Sequence, residues 1–250
     1  MKHLVLTCLV LFLTAVTFAQ DPTKVAPNAY KLDFENEWVK VTKVHYAPHA
    51  KIPAHDHTET GAAYVYLSDS GPVIFKHIGL SYAGVTRAAV KARSFRLYKA
   101  VKEVHEVENP NDTASDFLRI EFKTVEDTKK PLRGKFQPGD LASAENIQQV
   151  EFENEQLRAT RLVCAKGKVC ELSALGAEPQ LIVGLTSVQV ALTGKSQRIT
   201  LASGKTQWLA TGEKAQIKGI KGESAEVVIF ALKGSPVKTE KGKADAHKHE

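Results

Sequence analysis

The sequence predicts an all-β chain built as two β-barrel halves. Three observations carry that expectation. Short alternating strands punctuated by Gly, Pro, Asn and Asp recur along its length. No amphipathic helical period of any length interrupts them. A block of residues near position 34 also returns near position 152.

The chain starts Met1-Lys2-His3, continues as the apolar run Leu4 to Ala19, and breaks at Gln20-Asp21-Pro22. A short cationic start, an apolar core and a small residue before a polar break describe a secretory signal peptide, residues 1–19. The run falls short of the ~20 residues that a membrane span needs. Cys8 does not suit a lipoprotein signal, because Thr7 precedes it and the apolar core runs on beyond it. The expectation is a periplasmic or secreted protein with no membrane segment after cleavage. Loss of Lys2 takes the formal charge from +6 to +5 (6 − 1), a modest excess that sits largely in the Lys-rich tail. No aromatic residues are interleaved with basic ones on a stripe, which excludes a nucleic-acid footprint.

About 230 residues remain, enough for one large or two small domains. Phe34-Glu35-Asn36-Glu37 recurs as Phe152-Glu153-Asn154-Glu155, a shift of 118 (152 − 34). At that shift Val39 to Val44 falls on Leu157 to Leu162, Val65 on Val183 and Leu67 on Leu185. Expected strands in the first copy are Trp38 to Tyr46, Ala62 to Leu67 and Phe117 to Phe122. In the second they are Val188 to Leu192, Gln197 to Leu201, Gln207 to Ala210 and Ala225 to Leu232. The domains are therefore placed at 28–128 and 147–233. A turn-rich linker at 129–146 joins them, and a disordered Lys/His-rich tail follows at 234–250.

The mature chain keeps two cysteines, Cys164 and Cys170, on either side of Lys166-Gly167-Lys168. Two short strands about that turn bring them within bridging reach. In an exported protein an even pair points to a disulfide. Free thiols or half a zinc site are the alternatives, and no His or further Cys lies near enough in sequence to complete the latter.

The chemistry-bearing residues lie in Ala47 to His57 and Val104 to Asn109. His55 and His57, one residue apart on a strand, project from one face, and a closing barrel brings His105 towards them. Three inward imidazoles are a donor set for Fe, Mn, Zn, Ni or Cu as divalent ions. In these residues the chain resembles the cupin superfamily. Its first motif is a His-x-His pair followed three or four residues on by Glu, and its second is His-x-x-x-Asn. His55-Asp56-His57 matches the first pair, and His105 with Asn109 matches the second. The resemblance implies two tandem cupin-type jelly-roll barrels, a bicupin, with motif residues in the first half only.

This sequence departs from the pattern at several places. The motif Glu falls at Gly61 or Ala62, so Glu59, sharing strand parity with His55 and His57, is the candidate replacement. A motif glycine is His49, and the turn before the third histidine reads Lys102-Glu103-Val104. In the second half the histidine positions hold Ser173 and Leu175, the third region reads Lys214-Ala215-Gln216, and Gln180 matches Ala62. That half is expected to be structural. His45, His77, His247 and His249 read as isolated or solvated, and neither Glu106 nor Glu108 is given a catalytic role.

No nucleophilic triad and no phosphate-binding glycine loop is present. The expected function is an exported small-molecule-binding or structural module with a residual metal site. The alternative is a metal-dependent, dioxygenase-like enzyme. A homodimer, common among barrels of this type, is the expected assembly.

Overall fold

In the computed structural model, residues 21–79, 84–172, 176, 178–196 and 198–237 are described. The expected signal peptide, Ser173, Leu175 and the tail beyond residue 237 lie outside them. The described chain is almost wholly β-structure, consistent with jelly-roll barrels. A four-residue helix, α1 (Pro22–Val25), precedes the first strand, capped by the Asp21 carboxylate accepting from the Thr23 amide.

The first half contributes β1 (Tyr30–Glu35), β2 (Val39–Tyr46), β3 (Lys51–Asp56), β4 (Ala62–Tyr66), β5 (Val73–His77), β6 (Val85–Arg87), β7 (Phe95–Tyr98), β8 (Val104–Glu108), β9 (Ser115–Phe122) and β10 (Arg133–Phe136). The second contributes β11 (Ile147–Glu153), β12 (Leu157–Cys164), β13 (Val169–Glu171), β14 (Gln180–Gly184), β15 (Val188–Leu192), β16 (Arg198–Leu201), β17 (Thr206–Leu209), β18 (Ala215–Gly219) and β19 (Ala225–Leu232). The strands expected from alternation match β2, β4, β9, β15, β16, β17 and β19 to within two residues at each end. The linker differs from expectation. Arg133–Phe136 pairs antiparallel with β7 and forms the edge of the first sheet. Its largely polar sequence suits an edge but gives no alternation to read.

The duplication is exact in topology. The larger sheets run β1-β2-β9-β4-β7-β10 and β11-β12-β19-β14-β17, and the smaller ones β3-β8-β5-β6 and β13-β18-β15-β16. Adding ten to each strand number of the first half, β10 aside, gives the second. Even the irregularity repeats, because the β1–β2 register shifts between Leu32 and Phe34 and the β11–β12 register between Val150 and Phe152. Each half then turns a corner from its large sheet into its small one. Gly167 takes that corner at φ 74, and His49, 118 residues earlier, takes it at φ 57. A left-handed backbone is natural for glycine and costs a side-chain-bearing residue of order 1 kcal/mol.

Cys164 and Cys170 are joined as a disulfide across the second corner. They do not sit on a paired hairpin as the sequence suggests. β13 pairs with β18, so the bridge links the two sheets of the second barrel.

The two large sheets pack face to face. Val41, Val65, Leu118 and Ile120 of one meet Ala159, Leu181, Val228 and Phe230 of the other in one buried cluster. A buried ionic network also crosses between the halves. The Glu226 carboxylate, 0% exposed, receives Arg93 and Arg161 and accepts from the Gly139 amide at 2.7 Å.

Candidate metal centre

In β9, alternate residues face opposite ways. Leu118, Ile120 and Phe122 enter the core between the halves, whereas Arg119 and Glu121 point into the first barrel. Their counterparts in β19 are Ile229 and Ala231, to judge by matched pairing registers. The first barrel is thus polar inside and the second apolar, with Leu162, Ile182, Ile217 and Ile229 filling it.

His55, His57 and His105 converge there, each offering a ring nitrogen, with all three nitrogens within 4.8 Å of one another. His105 on β8 stands opposite His55 on β3 and opposite His77 on β5. Pro53 cannot donate to the β3–β8 ladder, and the register shifts between Ile52 and His55. The Pro53 carbonyl instead accepts from Nδ1 of His55 at 2.8 Å, which leaves Nε2 as an acceptor facing the cluster. There it meets the Tyr30 hydroxyl at 2.9 Å, itself 2.7 Å from the hydroxyl of Tyr46.

Glu59 is not brought in. β3 ends at Asp56, so strand parity fails beyond His57, and Glu59 lies exposed in the following bend. His57, also just past the strand, still reaches the cluster. Glu121 stands opposite Ala62, where the motif carboxylate falls, but it accepts from Arg119 Nε at 3.1 Å and from Thr58 Oγ1 at 2.7 Å. The acid beside the histidines is Glu103, with Oε2 3.3 Å from Nδ1 of His105 and 3.8 Å from Nε2 of His77. Together, His77, Glu103 and His105 form a second donor cluster sharing His105. His77 is therefore part of the site and not an isolated strand residue.

The donor chemistry fits a transition metal. His105 is 4% exposed, and its buried Nε2 has no hydrogen-bond partner among the described residues. Burial lowers the pKa of His55 to about 4, despite the Pro53 carbonyl. Burial, with Arg119 and the neighbouring imidazoles, pushes His57 well below 6.5. Both are neutral imidazoles at pH 7, with lone pairs to give. Burial raises the carboxyl of Glu103, but His105, His77 and Arg119 outweigh it and hold the carboxyl below its ordinary value. The cluster opens on a cavity of about 280 Å³ lined by His57, His105, Glu103, Arg87 and Arg119 among others. In the second barrel the position matching His105 is Ala215, and no metal-binding cluster occurs there among the described residues.

Asn109 of the second motif is structural. Its amide donates to the carbonyls of Tyr46, Ala47 and Thr113 and fixes the loops below the site.

No protein family's profile matches the sequence, and no curated protein does. Solved structures do match. A cupin 2 conserved barrel domain protein from Leptotrichia buccalis aligns at TM-score 0.52 and 9% identity, over 82% of this chain and 88% of the other. A variant of oxalate decarboxylase from Bacillus subtilis aligns at 0.55 and 6%, over 87% and 73%. Salicylate 1,2-dioxygenase from Pseudoaminobacter salicylatoxidans, solved with gentisate, aligns at 0.50 and 13%, over 78% and 68%. At these identities the likeness is one of fold, and it covers both barrels. The chain has a two-domain, cupin-type fold.

Proposed function

We propose that the first barrel holds a transition metal on His55, His57 and His105 and acts on a small molecule bound in the cavity beside it. The convergence of three imidazoles on one point, with His55 and His57 held neutral by desolvation, carries this reading. A bound metal there supplies Lewis-acid or redox chemistry. The residues of the chain supply the rest. Pro53 orients His55, burial and Arg119 keep protons off His57, and the ionised Glu103 carboxylate stands beside Nδ1 of His105 and holds that ring in place. By their names, two of the fold neighbours are a dioxygenase and a decarboxylase, which supports a metal-dependent enzyme over an inert module. The second barrel is structural, and export to an oxidising compartment accords with the disulfide.

Elemental analysis of untagged mature protein, beside a His55→Ala/His57→Ala variant, tests the reading. About one equivalent of Fe, Mn, Zn, Ni or Cu in the parent, lost in the variant, is expected. No uptake after reconstitution with each ion would overturn the metal reading and leave a small-molecule-binding module.

A further inference from the structure

Arg87 closes the short strand β6 and is 7% exposed. A guanidinium so deeply buried needs a counter-ion, because desolvating an unpaired charge costs several kcal/mol. None is present among the described residues, where no carboxylate lies within ion-pair distance of it. One nitrogen, Nη2, donates to the Ser115 hydroxyl at 3.1 Å. The other two, Nε and Nη1, are buried and have no acceptor. The guanidinium is held instead by aromatic faces, with its carbon 5.2 Å from the ring centres of Tyr66 and Phe117 and 5.6 Å from that of Phe75.

This side chain lines the same cavity as His57 and His105. The other charged groups there lean the same way. Arg119 is matched by Glu121, but Arg96 lies over Tyr64 at 4.4 Å with its buried Nε unpartnered, and Lys135 also faces the cavity. Among the described lining residues Glu103 is the acid that opposes them, and it is engaged with His105. The cavity therefore combines a positive wall, aromatic sides and a floor of His57, His77 and His105.

We infer that the cavity takes an organic carboxylate with an aromatic or unsaturated body, its carboxylate on Arg87 and its far end towards the histidines. The inference rests on reading this cavity as the small-molecule site, but not on the metal being bound. Two acceptorless donors of one buried guanidinium match an oxyanion, and the surrounding rings match a flat apolar body better than a hydrated phosphate. A neutral ligand leaves Arg87 uncompensated.

Calorimetric titration of metal-free protein tests this with acetate, benzoate and 4-hydroxybenzoate, each beside its amide, and with inorganic phosphate. The aromatic acids are expected to bind at least tenfold more tightly than their amides and more tightly than acetate or phosphate. Arg87→Met is expected to weaken the aromatic acids at least tenfold, with metal uptake on the histidines unchanged. Arg87→Lys, which keeps the charge but not the planar fork, is expected to fall between. Acids and amides binding alike, phosphate outcompeting every carboxylate, or a folded Arg87→Met that binds as the parent does would each overturn the inference. Should Arg87→Met not fold, the acid–amide comparison on the parent protein decides. Carboxylate binding with no metal uptake would remove the metal reading alone.

Discussion

The hydroxyl of Tyr30 lies 2.9 Å from Nε2 of His55, the same nitrogen that the three-histidine cluster presents to a metal. In the metal-free protein the hydroxyl occupies the lone pair that a metal would take. Replacing Tyr30 by Phe leaves His55 and Tyr46 short of a partner. The metal-free variant is expected to lose about 1–3 kcal/mol in urea unfolding, while its metal affinity holds or rises. A tenfold or larger fall in affinity would instead make Tyr30 a ligand.

Acid should destabilise the metal-free protein for a definable reason. His55 titrates near pH 4 in the folded chain against an ordinary value of 6.5, and His57 is displaced in the same direction. Between those values the unfolded chain takes up protons that the folded chain refuses. Their neutral burial is therefore fully tolerated above pH 6.5, and stability falls as pH drops from there towards 4. For His55 alone the loss is on the order of 3 kcal/mol by pH 4. Urea melts of chelator-treated protein at pH 7.5, 6 and 5 measure it. A flat profile would show that these histidines are solvated.

The two candidate acids separate cleanly. Glu103 touches His105 and His77, whereas Glu59 is exposed beyond the end of β3. Glu103→Ala is expected to weaken metal binding about 10–100-fold, as loss of a partner to a ligating histidine does. Glu59→Ala should leave affinity and stoichiometry as they are. Competition titrations against a chromogenic chelator distinguish the two, and the reverse order would restore Glu59 as the fourth ligand.

Glu226 offers a test remote from the site. Its buried carboxylate holds Arg93 from the first half and Arg161 from the second. Glu226→Ala takes the buried carboxylate from Arg93 and leaves Arg161 to Glu151 alone, and a cost of about 3–5 kcal/mol is expected in equilibrium unfolding. Metal uptake by the surviving folded protein should not change.

Much of this arrangement is legible in the sequence because it rests on local signals. Alternation marks β2 and β9, a nearly continuous apolar run marks β19, and the shift of 118 carries the repeat through the corner at His49 and Gly167. His55-Asp56-His57 advertises itself by spacing. Tyr30, His77, Arg87 and Glu103 do not, since each stands alone in the chain and only the pairing of β3, β8, β5 and β6 gathers three of them near His105. One signal was available. Arg119 and Glu121 occupy inward positions of β9, whose other face is Leu118, Ile120 and Phe122, and charges there mark a barrel with a polar interior. Parity would place Glu59 beside His55 and His57 only if the strand ran on past Asp56, where it stops. Only the ladder itself could reveal that end.

The face-to-face packing of the large sheets has one more consequence. Two separate barrels meeting on such surfaces would come apart on dilution, and each would then expose its apolar sheet to water. Joined in a single chain, they meet at a fixed effective concentration that dilution does not alter. The second barrel can serve the first as a permanent chaperone for its sheet. Its described interior is close-packed Ile, Leu and Val, which makes it a rigid support.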